Sequence, residues 1–190
     1  PLPADYVEVL RLAADAIHSV DPGASLVAAG LAPGRRSITA NEFIEGMFEE
    51  YRRLGMPPDF TEVAVHPYGS TVRVAVRRVR SFRRAMDRSR AGRRTPILVG
   101  ELGWASALGR DEFLGGNPRS QARKLRRSFA ALHKRRRSLG VSAMMWFALD
   151  DAPAGAGCSF CPYSGLFKRD FEPKPAWKAF KKVVAKRTAG

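Results

Sequence analysis

No apolar stretch in this chain approaches the roughly 20 residues that a bilayer-crossing helix needs, so no membrane-spanning segment is expected. Cysteine is nearly absent. The 190 residues hold two, Cys158 and Cys161, and one CxxC without a second Cys/His pair cannot build a four-ligand zinc site. Neither HExxH nor GxSxG occurs, which removes the common zinc-protease and serine-hydrolase signatures. The run Ala29-Gly30-Leu31-Ala32-Pro33-Gly34 supplies neither GxGxxG nor GxxxxGK[ST], so the phosphate-cradling turn of a nucleotide-binding sheet is missing too. Acidic residues are scarce, 18 against 33 Lys+Arg, for a net charge of +15.

What remains is a chain long enough for one domain with a real core, its apolar content 45%. Most of the positive surplus falls in two segments, Arg73–Arg94 and Arg119–Arg137, each reading as an amphipathic helix. Val72, Val76, Val79, Phe82 and Met86 keep the spacing of one buried face in the first, and Ala122, Leu125, Phe129 and Leu132 do so in the second. The arginines then decorate solvated outer faces, with an acidic partner as the alternative. No aromatic residues interleave with these runs as a base-stacking platform requires, so nucleic acid is not the expected partner.

Helix and strand patterns alternate along the whole chain, which we read as one domain, residues 1–190. A first helix (Tyr6, Val9, Leu10, Ala13, Ile17) is closed by Asp21-Pro22-Gly23, and a short strand Ser25–Leu31 follows. Thr39-Ala-Asn-Glu42 is a capping box ahead of a helix through Leu54. Strands are expected at Glu62–His66, Ile97–Glu101 and Ser142–Leu149, with helices over Val72–Met86, from Pro118 to about Leu139, and from Pro175 onward. Gly92 is assigned to the turn before the third strand; Gly109, Gly115 and Gly116 to the loop after it; and Gly155 and Gly157 to the long loop after the fourth. Such alternation implies right-handed βαβ crossovers and a parallel sheet, and without a phosphate turn a (β/α)8 barrel is favoured over an open sheet.

Chemistry in such folds collects where strands end. The run Pro96-Ile-Leu-Val-Gly-Glu-Leu-Gly-Trp104 closes a strand on the carboxylate of Glu101, an expensive position for an acid unless its charge is used or paired. An ordinary strand-end salt bridge is the plain alternative. Another strand ends in His66-Pro67-Tyr68, and a third in Trp146 with Asp150 and Asp151. If Glu101 looks into the barrel, simple alternation puts Val99 and Ile97 there as well, and Trp146 brings Met144 and Ala148. A carboxylate, a phenol, an imidazole and an aromatic plane at one end of a barrel suit sugar: donors and acceptors for hydroxyls, a ring for C–H faces, a carboxylate for the anomeric carbon.

At these residues the sequence resembles the retaining (β/α)8 glycoside hydrolases of clan A, such as the cellulase- and mannanase-like family five and the β-xylosidase-like family thirty-nine. The matching pieces are Asp21-Pro22 with Val27–Gly30, Val63-Ala-Val-His-Pro-Tyr68, Val99-Gly-Glu-Leu-Gly-Trp104, Met145-Trp-Phe-Ala-Leu-Asp150, and Gly165-Leu-Phe with Pro173-Lys-Pro-Ala-Trp177. The resemblance implies an α/β fold, a partial TIM barrel holding strands five to eight with their helices. It implies hydrolysis of O-glycosyl bonds in a β-linked oligo- or polysaccharide by double displacement, with no metal and no cofactor. Glu101 then matches the nucleophile and Tyr68 the residue that hydrogen-bonds it. His66 matches a histidine lining the same pocket and Trp146 the ring that stacks on the sugar. Trp104 and Asp150 are taken as further substrate-binding residues, though Asp150 and Asp151 match no family acid.

Retaining hydrolysis needs a second carboxyl about 5–5.5 Å from the nucleophile. In the clan it follows an Asn at the end of strand four, which has no counterpart here. Asn41-Glu42 opens a helix, and Glu62 precedes its strand. The chain is therefore expected to need the N-terminal half of a barrel, or self-association, to work. It opens at Pro1 without a methionine or a signal-peptide pattern, which we take as pointing to a processed product or fragment. Cys158 and Cys161 are expected to form a local disulfide at the pocket rim, with a reduced pair as the alternative, and an extracellular or cell-envelope parent would fit that bond. His18 and His133 read as surface or packing residues. Two other readings stay open: a non-catalytic carbohydrate-binding half-barrel and a basic polyanion-binding domain.

Overall fold

The computed structural model describes residues 2–34, 38–107, 114–155 and 158–188; Gly109 and Gly157 lie outside them. Its elements run α1 (Pro3–Val20), β1 (Val27–Leu31), α2 (Ala40–Leu54), β2 (Glu62–Val65), α3 (Val72–Met86), α4 (Arg90–Arg94), β3 (Ile97–Leu102), α5 (Pro118–Lys134), α6 (Arg136–Leu139), β4 (Val141–Trp146) and α7 (Pro175–Thr188). The four strands form one all-parallel sheet in the order β1-β2-β3-β4, so each strand pairs with the next in sequence, and among the described residues no strand pairs with either outer edge. This is the connectivity of consecutive βα units in a (β/α)8 barrel, here as a four-stranded part.

Local signals place the helices. The Thr39 hydroxyl accepts from the Glu42 amide, while the Glu42 carboxylate accepts from the Thr39 amide and hydroxyl at 2.8 Å. These bonds, the backbone one foremost, lower the pKa of exposed Glu42. Glu42 is engaged as a cap. α2 stops at Gly55, whose left-handed φ of 67° suits glycine. Thr71 caps α3 in the same manner.

The core lies between sheet and helices. Val63, Val65, Ile97 and Val99 pack against Ile44, Met47, Val79, Phe82 and Met86, all nearly or fully buried. Burial of each such side chain contributes roughly 1.5–3 kcal/mol. The opposite face of the sheet is the concave one. A side chain at Gly100 would meet the His66 ring and the Ala64 Cβ, so these residues share that face. Ala143 and Met145 of β4 are exposed on it.

Ile97 and Val99 therefore do not accompany Glu101 on the concave face, as simple alternation predicts. The cause is a bulge in β3: Val99 pairs with Met144 and Leu102 with Trp146, three steps against two. One extra residue reverses parity and turns Glu101 inward. The dry core thus needs no further half to cover Ile97, Val99 or Met144.

The first basic segment holds the expected helix over Val72–Met86 and then a short one that is not expected, and the second breaks where one helix to about Leu139 is expected. The first ends at Met86, and Ser89 then caps α4 through the Gly92 amide. Gly92 sits inside that short helix rather than in a turn, because a Cβ there would run into the Met86 carbonyl. The second breaks at Arg135 (φ −107°, ψ 5°) before α6. β4 ends at Trp146 rather than Leu149.

Candidate active site

β2 and β3 deliver the site from adjacent strand ends. His66 follows β2 directly, Tyr68 lies two residues further, and the bulge presents Glu101 beside them. The Tyr68 hydroxyl donates to Oε2 of Glu101 at 2.6 Å. Nδ1 of His66 lies 3.4 Å from the same oxygen. The Glu101 side chain keeps 35% of its surface exposed, so one oxygen is held while the group stays reachable from solvent. Burial, then the hydrogen bond and the charge of Glu101, raise the Tyr68 phenol far above its ordinary range. It therefore remains a donor at any pH where a protein functions.

Aromatic rings frame this group, but not the predicted ones. Trp104 has no exposed surface; its indole N–H donates to the Gly69 carbonyl at 2.7 Å and its ring belongs to the core. Trp146 pairs in register with buried Leu102 and so turns to the helix side, 6.1 Å from Trp104, with its N–H on the Ser164 carbonyl at 3.2 Å. Neither tryptophan offers a free plane to the concave face. Phe147 does. Its ring lies 6.3 Å from Tyr68 and 6.0 Å from Phe160, which itself stands 5.2 Å from Tyr68. Sequence reasoning missed Phe147 and Phe160; the parity of Ala143, Met145 and Phe147 was the signal, obscured because β4 is apolar on both faces.

The loop after β4 is braced from beneath. Cys158 and Cys161 are joined as a disulfide, in the turn that carries Phe160. Asp150 is exposed, its backbone bridged to Phe167. Asp151 is buried and ion-paired with Lys174 at 2.6 Å, and it also accepts from the Gly165 amide. Lys174 donates as well to Ser106 and to the Tyr163 carbonyl. Burial lowers the Lys174 pKa, and Asp151 opposes that shift. Gln121, fully buried, ties the end of β3 to this loop by donating to the carbonyls of Trp104 and Ser164. A Cβ at Gly103 would run into the Phe147 carbonyl, so β3 and β4 approach closely here because position 103 is glycine.

The remaining carboxylates near these elements are engaged. Glu62 lies at the start of β2 and accepts from Ser142 at 2.6 Å. Asn41, beside the capping Glu42, donates to Ser81. Among the described residues no group of three or more His, Cys, Asp or Glu could hold a metal.

No family model and no curated protein matches the chain. Solved structures do. A family 39 glycoside hydrolase from the gut symbiont Bacteroides cellulosilyticus WH2 superimposes with a TM-score of 0.67 at 17% identity, over 94% of this chain and 36% of that one. The GH39 enzyme from Xanthomonas axonopodis pv. citri gives 0.63 at 18%, over 95% and 36%. The Ignisphaera aggregans GH53 catalytic domain gives 0.66 at 23%, over 95% and 52%. Nearly the whole chain thus matches about a third to a half of each glycoside hydrolase. At such identities the likeness concerns fold: a partial (β/α)8 barrel.

Proposed function

We propose that this chain carries the nucleophile half of a retaining β-glycosidase acting on O-glycosyl bonds of a β-linked oligo- or polysaccharide. The observation that carries this reading is the 2.6 Å hydrogen bond from Tyr68 to an inward-turned, part-exposed Glu101. A carboxylate that forms a bond to an anomeric carbon has to be ionised, aimed and accessible. Tyr68 holds one oxygen, His66 limits its swing, and the second oxygen stays free to attack. Phe147 supplies the apolar plane against which a pyranose C–H face can rest.

In the proposed sequence Glu101 displaces the leaving-group oxygen at the anomeric carbon while a partner acid protonates that oxygen. Water, deprotonated by the same partner, then attacks the glycosyl ester and releases Glu101. Glu42, Glu62 and Asp151 are engaged elsewhere, and Asp150 is a solvated loop residue. The partner acid on this reading stands on strands that complete the barrel beyond β1 and β4, in keeping with the share of the solved hydrolases that this chain spans. Asp150 borders the glycan as a hydroxyl contact.

The test uses the complete protein. Glu101→Gln is expected to abolish turnover of aryl β-glycosides with folding intact, because no ionised carboxylate remains to form the glycosyl ester. Turnover close to that of the unaltered protein would end the assignment.

A further inference from the structure

We propose that the hollow between α4, α6 and the starts of β3 and β4 is a binding site for the phosphate or sulfate groups of a base-free polyanion. It is a concavity of about 420 Å³, lined by Arg93 and Arg94 of α4, Arg136 and Arg137 of α6, and Arg83. Pro96 and Ser142 also line it, which sets it at the strand starts, the end of the sheet away from Glu101. Four βstrand steps separate Ile97 from Glu101, roughly 13 Å of rise.

The short helices α4 and α6, each following a break in a basic segment, build this hollow. Had the first basic segment continued as one rod, Arg93 and Arg94 would point outward with the other arginines. Instead the Ser89 cap turns α4 back under the sheet. Arg83, buried at 7% exposure, fixes the floor: it pairs with Asp87 at 2.9 Å and donates to the Thr95 and Gly92 carbonyls. Arg93 is braced on the Asp87 carbonyl at 2.8 Å, and Arg136 on the His133 carbonyl at 3.2 Å. These bonds set both guanidinium groups in position from behind.

Among the described residues no acidic side chain lines the hollow. Asp87 is matched to Arg83, and Glu62, reached through Ser142, is engaged by that hydroxyl. Arg93, Arg94, Arg136 and Arg137 are all exposed, and none has a carboxylate partner among the described residues. Like charges gathered around one concavity repel, and a multiply charged anion relieves that repulsion. Guanidinium forks match tetrahedral oxyanions through paired N–H donors. Among the described residues the lining contains no aromatic side chain on which a base could stack, which favours oligophosphate or sulfated glycan over nucleic acid.

Titration calorimetry with sodium tripolyphosphate and with a heparin hexasaccharide tests the site and tells phosphate from sulfate. The double variant Arg94→Ala/Arg137→Ala is expected to weaken the better ligand by about tenfold or more, two charge-assisted contacts being lost. Arg123→Ala/Arg127→Ala removes the same charge from the exposed face of α5 and is expected to change affinity less than about twofold, an exposed charge being largely screened. Glu101→Gln should leave binding unchanged, so the hollow and the glycosidase reading fail or stand separately. Equal losses in the two double variants, no binding of either probe, or tighter binding of an oligothymidylate of matched charge would overturn the proposal.

Discussion

The Tyr68 hydroxyl and the Glu101 carboxylate, 33 residues apart in the chain, meet at 2.6 Å across the ends of neighbouring strands. The contact bears on the ionisation of the phenol. Burial raises the phenol most, and the hydrogen bond and charge of Glu101 add to it. Glu101→Gln removes the charge and leaves the burial. The Tyr68 phenolate should then form at a lower pH than in the unaltered protein, though still above the ordinary phenol value of about 10. Ultraviolet titration at the phenolate band, with Tyr68→Phe to identify the transition, measures it. An unmoved transition would mean that the contact is absent in solution.

Phe147 and Trp146 are adjacent and should fail differently. Phe147→Ala removes a ring beside Tyr68 and is expected to lower kcat/KM of the complete protein about tenfold, the worth of one aromatic contact near 1.4 kcal/mol. Trp146→Ala opens a space between β4 and the helices and should destabilise by about 3–5 kcal/mol. Urea denaturation paired with glycoside kinetics separates the two effects. A kinetic loss confined to Trp146→Ala would put the sugar plane on the other ring.

Lys174 and Asp151 form a buried pair under the loop that follows β4. Lys174→Met strands the carboxylate without its cation, and removal of one partner of a buried pair costs about 3–5 kcal/mol. Adding Asp151→Leu should recover part of that loss. Denaturation midpoints of the two variants check the order. The Gly165 amide, which bonds Asp151, makes full recovery unexpected.

Gly103→Ala places a methyl group against the Phe147 carbonyl oxygen. Backbone cannot rotate away as a side chain can, so β3 and β4 must part, at a cost of about 1–3 kcal/mol. Since Phe147 belongs to the site, activity of the complete protein should fall with stability. A thermal melt beside an activity assay shows whether both move.

The grouping of Glu101, Tyr68 and His66 was legible because each stands at or just past a strand end, and parallel topology carries strand ends to one side. Helix starts were legible where a cap is written locally, as at Thr39 and Glu42. Which aromatic faces inward was not. A single inserted residue between Val99 and Leu102 reverses parity, and its one local mark, Gly100 inside the strand, does not say which side chains change face. The end of α3 at Met86 was legible, but α4 and the break at Arg135 were hidden for another reason. Arginine is a good helix former, so runs of it read as continuous helix.

Helices α1, α2, α3, α5 and α7 outnumber the strands by one, and α1 and α7 sit at opposite ends of the helix layer, beside α2 and α5 respectively. In a closed ring of eight strands each seam takes one roof helix. Two copies of this chain joined head to tail would bring α7 of one and α1 of the other to the same seam, where there is room for a single roof. Ring closure by self-pairing would then have to displace one of these two helices. On the reading proposed above, a complement that leaves both helices in place would begin and end in a strand.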